Sequence, residues 1–372
     1  MSTKTSKRSN TSKESADSQD IRRAPLVISL VIGIAFLLVL MVVSVSIGPL
    51  QLKVGDVWQI LLAGPNADEG GGGSATDGTL NQRDVSVVWQ LRVPRILMGV
   101  VVGAALAISG AALQSLFNNP LADPGIVGVT SGASAGAVAA IVLASGVSTS
   151  LATEWVVPIG AFIAGLLVTL LIYVLARPGR TTGTARMLLV GIAVGSACQA
   201  LVGFFTYIAD DSELQTLVFW QMGSFGSVNW EQLYAVLPIF VIGLMLVVRL
   251  SRTLDVLTLG ERQAQHLGIN VKRSRLVVII TTALLTASAV AFAGAISFVG
   301  LVVPHIIRFI VGPGHRALLP VSALAGAILI VASDAAARTL NPPSEIPIGL
   351  FTAAVGAPFF LFLILREKRR IW

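Results

Sequence analysis

The amino-acid sequence predicts an all-α integral membrane protein with ten transmembrane helices, some of them short or broken. Hydrophobic residues make up 54% of the 372 residues and charged residues only 12%. Soluble domains carry roughly 25% charged residues, so a soluble chain of this length could not cover its surface. Length alone would suggest two or three domains, but the succession of apolar runs predicts one transmembrane domain over residues 26–365.

The predicted spans follow a polar segment, residues 1–25, which we expect to be a disordered cytoplasmic tail. Residues 26–47 are 22 positions without a charge, longer than the apolar core of a signal peptide, and predict a retained first span. An outer loop at 48–92 carries one amphipathic piece and a glycine-rich tip, which we interpret as a linker. Further spans are predicted at 94–113, 125–145, 156–176, 187–208, 231–250, 275–296, 298–311, 317–336 and 348–365, and a basic cytoplasmic segment, 366–372, ends the chain.

Residues 118–140 (NNPLADPGIVGVTSGASAGAVAA) begin as a polar turn and continue as an apolar helix with glycines four residues apart. Gly128, Gly132 and Gly136 would share one helical face, where a second helix can approach closely in lipid. In water each would weaken the helix by roughly 1 kcal/mol, so the pattern favours a packed membrane bundle. Two further pairs have the same spacing and fit either helix packing or a small-residue lining of a pathway: Gly99 with Gly103, and Gly191 with Gly195.

The distribution of basic residues predicts the orientation in the membrane. With ten spans and an inside N-terminus, 21 of the 26 Lys and Arg residues lie inside, in residues 1–25, 177–186, 249–275, 308–316 and 366–370. This asymmetry is what the positive-inside rule requires, and the reversed topology violates it. Basicity is therefore interpreted as a membrane sorting signal, with both termini cytoplasmic, and not as a nucleic-acid patch.

Several classes of activity lack their motifs in this sequence. No G-x-x-x-x-G-K-[ST] loop is present for ATP, and no H-E-x-x-H or Cys/His cluster for a metal or permanently bound cofactor. The three histidines, His266, His305 and His315, look too dispersed for a catalytic or heme-ligating cluster. The span interiors also lack the carboxylates that serve ion-coupled transporters as relays. We therefore expect a transport subunit, not an enzyme, driven by an external motor; an ion-coupled secondary transporter and a structural or signalling protein are the alternatives.

The longest inside loop, residues 251–273, is the candidate attachment point for such a motor. Its pattern predicts two short helical pieces, Asp255–Leu259 and Glu261–Leu267, separated by Gly260 and closed by Gly268 as a C-cap. Helices too short to be stable alone suggest docking onto a partner, although a solvated connecting loop is the simpler alternative. Apolar positions offered to a partner are Leu254, Leu257, Ala264 and Leu267.

Three arginines are predicted on the outer side, which normally carries few positive charges. Arg92 and Arg95 lie in LRVPR at the start of the second span, and Arg338 lies at the outer end of the ninth. They could form a basic rim that binds carboxylates of an extracytoplasmic partner, because guanidinium groups pair carboxylate oxygens two at a time. They could equally snorkel to lipid phosphates, with Asp334 and Glu345 neutralising Arg338 locally.

The short span 298–311 and the Gly and Pro interruptions at 294–304 predict a broken or re-entrant helix. His305 follows Pro304 in this stretch. The residue could touch cargo, but a buried histidine satisfied by a free backbone carbonyl is the simpler interpretation.

Several long motifs resemble the FecCD/BtuC-type permease subunits of ABC importers for iron-siderophores, vitamin B12 and heme. The resemblance covers about residues 88–365. It depends on LRVPRIL (91–97), GAALAISGAALQSLFNNPLADPGIVGVTSGAS (103–134), LGERQAQHLG (259–268), GAISFVGLVVPHIIRF (294–309) and SEIPIGLFTAAVGAPFFLFLI (344–364). The N-terminal tail and the glycine-rich tip depart from the family pattern and inherit nothing from it.

This resemblance implies a BtuC-like (type II ABC importer) fold and a homodimer of ten-span subunits around a central pathway. It implies two ATP-hydrolysing subunits docked under the 251–273 loop. The segment that couples them to the permease would be Glu261–Gly268, together with the preceding Leu259 and Gly260. It also implies that Arg92, Arg95 and Arg338 receive acidic side chains of an extracytoplasmic substrate-binding protein. The segments LADPGIVGVTSGAS and NPPSEIPIG look most similar to the corresponding segments of heme permeases. We therefore expect heme as cargo, with a ferric chelate or cobalamin as the alternative.

Overall fold

The computed structural model describes residues 25–50, 52–65, 81–144, 150–176, 183–342 and 344–368. The predicted tail up to residue 24, the glycine-rich tip at 70–74 and residues 369–372 lie outside the described residues. All regular elements within the described ranges are helical. The helices are α1 (Leu26–Ser46), α2 (Val54–Ala63), α3 (Gln82–Ser86), α4 (Val93–Leu116), α5 (Val129–Ala144), α6 (Ser150–Ala176), α7 (Gly183–Ile208), α8 (Asp211–Met222), α9 (Trp230–Arg249), α10 (Ser251–Leu257), α11 (Glu261–His266), α12 (Val271–Ala293), α13 (Val299–Val311), α14 (His315–Thr339) and α15 (Ile348–Lys368).

The predicted fold class is confirmed. In the described part of the chain, seven helical stretches are long and apolar enough to cross a membrane. The shorter helices α5, α13 and α15 coincide with the remaining three predicted spans. The amphipathic piece predicted in the outer loop is α2, which buries Val57 and Ile60.

The second span begins earlier than the sequence predicts. Its helix runs from Gln82 to Leu116, so the outer loop ends before residue 82 and not at 92. The predicted span starts at residue 94, a proline, which has no amide hydrogen to donate. The helix passes this point through a π-helical turn, Val87–Arg92, in which the amide of Val93 donates to the carbonyl of Val88, five residues back.

Helix α4 forms the centre of the bundle. Almost all of its residues are buried, and it packs against α9, α12, α13 and α14. At the crossing with α14 the backbones touch: a Cβ added to Gly103 would lie 2.3 Å from the carbonyl oxygen of Gly326, and the reciprocal distance is 2.2 Å. Small residues thus let two helices approach more closely than side chains would allow, as is typical of membrane bundles.

The glycine face of α5 packs on α6, with one change from the prediction. Gly132 and Gly136 lie against α6, and a Cβ on Gly136 would lie 2.3 Å from the carbonyl oxygen of Gly160. Gly128 is not in the helix: it has φ 84° and ends a 3₁₀ turn, Pro124–Val127. The predicted helix is therefore wrong at its first turn, because a left-handed glycine separates the turn from α5.

Helix α8 was not predicted, although its start carries a recognisable signal. The side chain of Asp210 accepts a hydrogen bond from the amide of Glu213, and the Glu213 side chain accepts one from the amide of Asp210. This reciprocal capping box stabilises a helix N-terminus. The hydrogen bond from the Glu213 amide, followed by that from the Ser212 hydroxyl, holds the pKa of Asp210 below its ordinary value.

The break predicted between the seventh and eighth spans lies between α12 and α13. Gly294 has φ 72° and Phe298 has φ 69°. A positive φ is costly for a bulky side chain, by roughly 1–2 kcal/mol. The chain therefore bends sharply here, and α13 starts at a strained residue.

Candidate functional sites at the two ends of the bundle

The predicted site residues fall at opposite ends of the bundle. We call the end that holds Arg92, Arg95 and Arg338 the arginine end, and these three residues the arginine cluster. The opposite end holds α10 and α11, and we call it the loop end. Helix α4 runs from the arginine end to the loop end, and α14 runs back.

Two members of the arginine cluster share one buried carboxylate. Asp334 Oδ1 lies 2.9 Å from Arg95 Nε and 2.8 Å from Arg95 NH2, while its Oδ2 lies 3.1 Å from Arg338 Nε. Arg95 NH1 also lies 2.8 Å from Glu345 Oε1. Asp334 is 2% exposed, whereas the Glu345 side chain is 34% exposed. Asp334 therefore joins α4 to α14, and Glu345 covers Arg95 from the loop before α15.

Further contacts of the cluster are to the last turn of α1 and to the residues that follow it. Arg92 donates hydrogen bonds to the carbonyl oxygens of Val45 and Leu50. Arg338 NH2 lies 2.6 Å from Ser44 Oγ, and its NH1 lies 3.3 Å from the carbonyl oxygen of Ile47. Because backbone carbonyls are otherwise left unpaired after a helix end, the guanidinium groups satisfy them there.

The arginine cluster is not an exposed rim in this structure. Arg92, Arg95 and Arg338 are 5%, 8% and 3% exposed. Asp334 pairs with Arg338, as the sequence suggested, whereas Glu345 pairs with Arg95. The three arginine side chains do not extend to a free outer surface. They line a cavity of about 280 Å³, together with Leu91, Phe225 and Glu345. Docking of a partner's carboxylate on this cluster stays a prediction.

At the loop end, the two short helices have shifted boundaries and a different apolar face from the prediction. Leu254, Leu257 and Ala264 are buried against the chain's own bundle, so they are not offered to a partner. The exposed apolar residues are Leu259 and Leu267, at 61% and 63%. The reason is that α10 starts at Ser251, directly after α9. This start directs the apolar side of α10 towards α4 and α14.

Both predicted glycines of this loop adopt conformations that suit glycine. Gly260 has φ 106° before α11, and Gly268 has φ 79° after it. The amide of Ile269 donates to the carbonyl of Ala264 and that of Gly268 to Gln265, which is a Schellman motif. Glu261, the first residue of α11, forms an ion pair with Arg275 of α12.

The remaining predicted positions are scattered over the bundle. The His305 ring lies edge-on to Phe309, with 5.1 Å between ring centroids. A Cβ on Gly191 would lie 2.4 Å from the carbonyl oxygen of Ile126, so this position is a close backbone contact. Gly99 and Gly195 have ordinary van der Waals space, with the nearest atoms at 3.5 and 3.6 Å.

One arrangement was missed by the sequence analysis, which set His315 aside as dispersed. His315 Nδ1 lies 2.6 Å from Asp255 Oδ1, and its Nε2 lies 2.5 Å from Ser115 Oγ. The three residues come from α14, α10 and α4. The only local signal is the polar Gln114–Ser115 pair in the mostly apolar second half of α4.

A bundle of apolar helices around a glycine-packed central helix, with polar sites confined to its two ends, defines a multi-pass membrane transport protein. The chain belongs to the FecCD transport family, whose profile matches residues 36–366. It is a permease of the FecCD/BtuC type of ABC importer in the inner membrane, and its relatives are transport subunits and not enzymes.

Individual relatives agree with this assignment. The hemin transport system permease HmuU of Yersinia pestis is 40% identical over 346 residues, covering 91% of this chain and 96% of that protein. The cobalamin import permease BtuC of Halobacterium salinarum is 44% identical over 290 residues, covering 77% and 75%. A solved structure of an inward-facing metal-chelate type ABC transporter superposes with a TM-score of 0.75 at 32% identity, covering 91% and 98%.

Proposed function

We propose that this permease moves heme across the cytoplasmic membrane into the cell. The observation that supports heme is the extent of the match to the hemin permease, which covers 96% of that protein. The matches to vitamin B12 permeases stop at 75% and 87% of those proteins. Heme is the cargo and not a resident cofactor of this chain.

Cobalamin is the second candidate cargo, because the archaeal BtuC shares 44% identity over its aligned part. A ferric siderophore is the third, and an ion-coupled transporter is disfavoured because the chain belongs to the ABC importer family.

The test is reconstitution of the permease, its ATPase and its cognate binding protein in liposomes, with heme, cobalamin and a ferric siderophore offered separately. The proposal is supported if heme accumulates in an ATP-dependent manner and the other two cargoes do not. Accumulation of another cargo refutes heme, and accumulation without ATP refutes the importer class.

The proposed orientation places the arginine end outside and the loop end in the cytoplasm, with both termini cytoplasmic. The distribution of Lys and Arg supports it, since 21 of the 26 fall in segments that the sequence predicts to lie inside. We propose further that two copies enclose the pathway. Apolar side chains exposed on α7 and α15, such as Leu189 (68%) and Val355 (59%), would face the second copy or lipid.

We propose that the arginine cluster binds acidic side chains of the binding protein by exchange of partners. Arg95 forms ion pairs with two carboxylates, Asp334 and Glu345, and Glu345 is the more exposed of the two. An incoming carboxylate could replace Glu345 while Asp334 keeps Arg95 and Arg338 in place. Such an exchange conserves the number of charge-assisted hydrogen bonds and avoids leaving a buried guanidinium unpaired.

We propose that two ATPase subunits dock at the loop end through the exposed residues Leu259 and Leu267. Gly260 and Gly268 fix where α11 starts and ends, and Glu261 ties it to α12. Binding of ATP would draw the two loops together, and the two permease subunits would rock to open the pathway alternately to each side. The cargo would cross because the residues that line the pathway change position, and not because this chain binds it tightly at a chelating site.

A further inference from the structure

The Asp255–His315–Ser115 contacts form part of a longer buried polar chain at the loop end. His315 is 1% exposed, and its backbone amide also donates to Asp255 Oδ1 at 2.9 Å. Asp255 Oδ1 on α10 thus binds both the backbone amide and the ring Nδ1 of His315, the first residue of α14. This pairing fixes both the position and the direction of α10 on the bundle.

The chain of contacts continues to the start of α13. Arg308 NH2 lies 3.5 Å from Ser115 Oγ, and Arg308 NH1 donates to Gln114 Oε1. Gln114 Nε2 lies 3.3 Å and 3.1 Å from the carbonyl oxygens of Gly300 and Leu301. Both carbonyls belong to the first turn of α13, directly after the strained residue Phe298. Four helices, α4, α10, α13 and α14, therefore meet in one network.

The order Asp–His–Ser resembles a catalytic triad, but the surroundings exclude hydrolysis. Ser115 is 2% exposed, its Oγ lies 3.1 Å from the carbonyl oxygen of Ala111 in its own helix, and α13 and α14 cover it. No acyl substrate can reach that oxygen. The network therefore has a mechanical role.

We propose that His315 is a positioning residue that couples the α10–α11 loop to helices α4, α13 and α14. This role rests on the proposed docking of the ATPase at the loop. The apolar contacts of Leu254 and Leu257 hold α10 against the bundle, but such contacts are non-directional and allow sliding. The hydrogen bonds of Asp255 and Ser115 to the two ring nitrogens are directional, so they transmit a displacement of the loop.

The end of this network explains why the transmitted displacement matters. Gln114 holds the first turn of α13, and α13 begins at the sharp bend after α12. A bend that stores strain at Phe298 is a natural hinge. A pull on α10 would therefore reach α13 through a continuous set of hydrogen bonds, and not through diffuse packing.

Two variants separate the halves of the histidine contact. His315→Asn keeps an amide near the Nδ1 position, facing Asp255, and His315→Gln keeps one near the Nε2 position, facing Ser115. Arg316→Gln is the matched control, because Arg316 is the exposed neighbour of His315 in the first turn of α14 and belongs to neither candidate site. Each permease is reconstituted with the ATPase and the binding protein. The readouts are assembly, heme accumulated per ATP hydrolysed, and stimulation of ATP hydrolysis by the binding protein, which does not depend on the cargo being heme.

Both His315 variants should assemble and hydrolyse ATP, yet lose about ten-fold in heme per ATP and in stimulation. The Arg316 variant should match the unmodified protein. Should the His315 variants fail to assemble, Asp255→Leu carries the test at a side chain that is 40% exposed. Asp255→Asn, which retains an acceptor oxygen, should then restore most of the coupling.

If variants that assemble stay within two-fold of the unmodified protein in heme accumulated per ATP hydrolysed and in stimulation by the binding protein, the coupling role of His315 is refuted. The proposed function would then still stand. An unmodified permease that binds no ATPase overturns the proposed function, and the coupling role with it.

Discussion

Replacement of Glu345 by glutamine tests whether the arginine cluster is a docking site. The Arg95–Glu345 pair has a 2.8 Å contact, and the Glu345 side chain is 34% exposed. Ion pairs of this partly exposed kind are worth about 0.2–1 kcal/mol. If a partner's carboxylate must displace Glu345, then Glu345→Gln removes this cost. Binding of the binding protein should tighten by about 1.4- to 5-fold.

The assay is titration of the purified binding protein against the permease in lipid nanodiscs at fixed ionic strength. Glu231→Gln is the control, because Glu231 is an exposed acidic residue at the N-terminus of α9 near the same end. Its removal changes the net charge equally but frees no arginine. Unchanged or weaker binding by the Glu345 variant, with the Glu231 variant at the unmodified value, would refute the exchange mechanism.

Charge reversal of the arginines themselves is a poorer test of docking than Glu345→Gln. Arg95→Glu would place a carboxylate beside buried Asp334, and Asp334→Asn would leave two buried guanidinium groups with weakened partners. Breaking a buried pair costs about 3–5 kcal/mol. Both variants should therefore lower the yield of folded protein, so loss of docking would not be interpretable. Glu345 is informative because its environment is only half buried.

Three further changes have expected outcomes. Gly103→Ala should lower the thermal unfolding temperature of the purified permease, because its Cβ would lie 2.3 Å from a backbone oxygen of Gly326, whereas Gly99→Ala, with 3.5 Å of space, should leave it nearly unchanged. Leu267→Asp should abolish co-purification with the ATPase without loss of folded permease, since the side chain is 63% exposed; retained binding would contradict docking at this residue. Gly268→Ala should weaken the α11 C-cap by about 1 kcal/mol through its φ of 79° alone, because nothing lies within 4 Å of the added Cβ, and hydrogen exchange of the Ile269 amide would show this.

The spans could be predicted because their signal is local. Apolar runs and helix-capping glycines are read from neighbouring residues, and the structure places the ten apolar helices where the runs are. Local reasoning failed where two local rules compete. The apolar run placed the start of the second span at residue 94, yet a π-helical turn joins it to a helix that begins at Gln82. Gly128 counted as helical although it ends a 3₁₀ turn.

The candidate sites were harder because their partners are distant in sequence. Arg95 meets Asp334 and Glu345 across 239 and 250 positions, and Ser115 meets His315 across 200. Nothing in a single sequence records these distances, which follow from how α4 and α14 cross. The direction of α10 was mispredicted for the same reason, because a short apolar face looks identical whether it docks on a partner or on its own bundle.

Helices α4 and α14 connect the two sites physically. The arginine cluster joins one pair of their ends, and the contact between Ser115 and His315 joins the other. At 1.5 Å per residue, about 30 Å of α4 separates Arg95 from Ser115, and a similar length of α14 separates His315 from Asp334. Between these ends the backbones touch at Gly103 and Gly326, where no side chain can yield. We therefore expect the two helices to move together. On the proposed docking, a binding protein at the arginine end would act on the same two helices that the α10–α11 loop contacts. Gly103→Ala, which separates the pair, should for this reason also reduce the stimulation of ATP hydrolysis by the binding protein, even though it touches neither site.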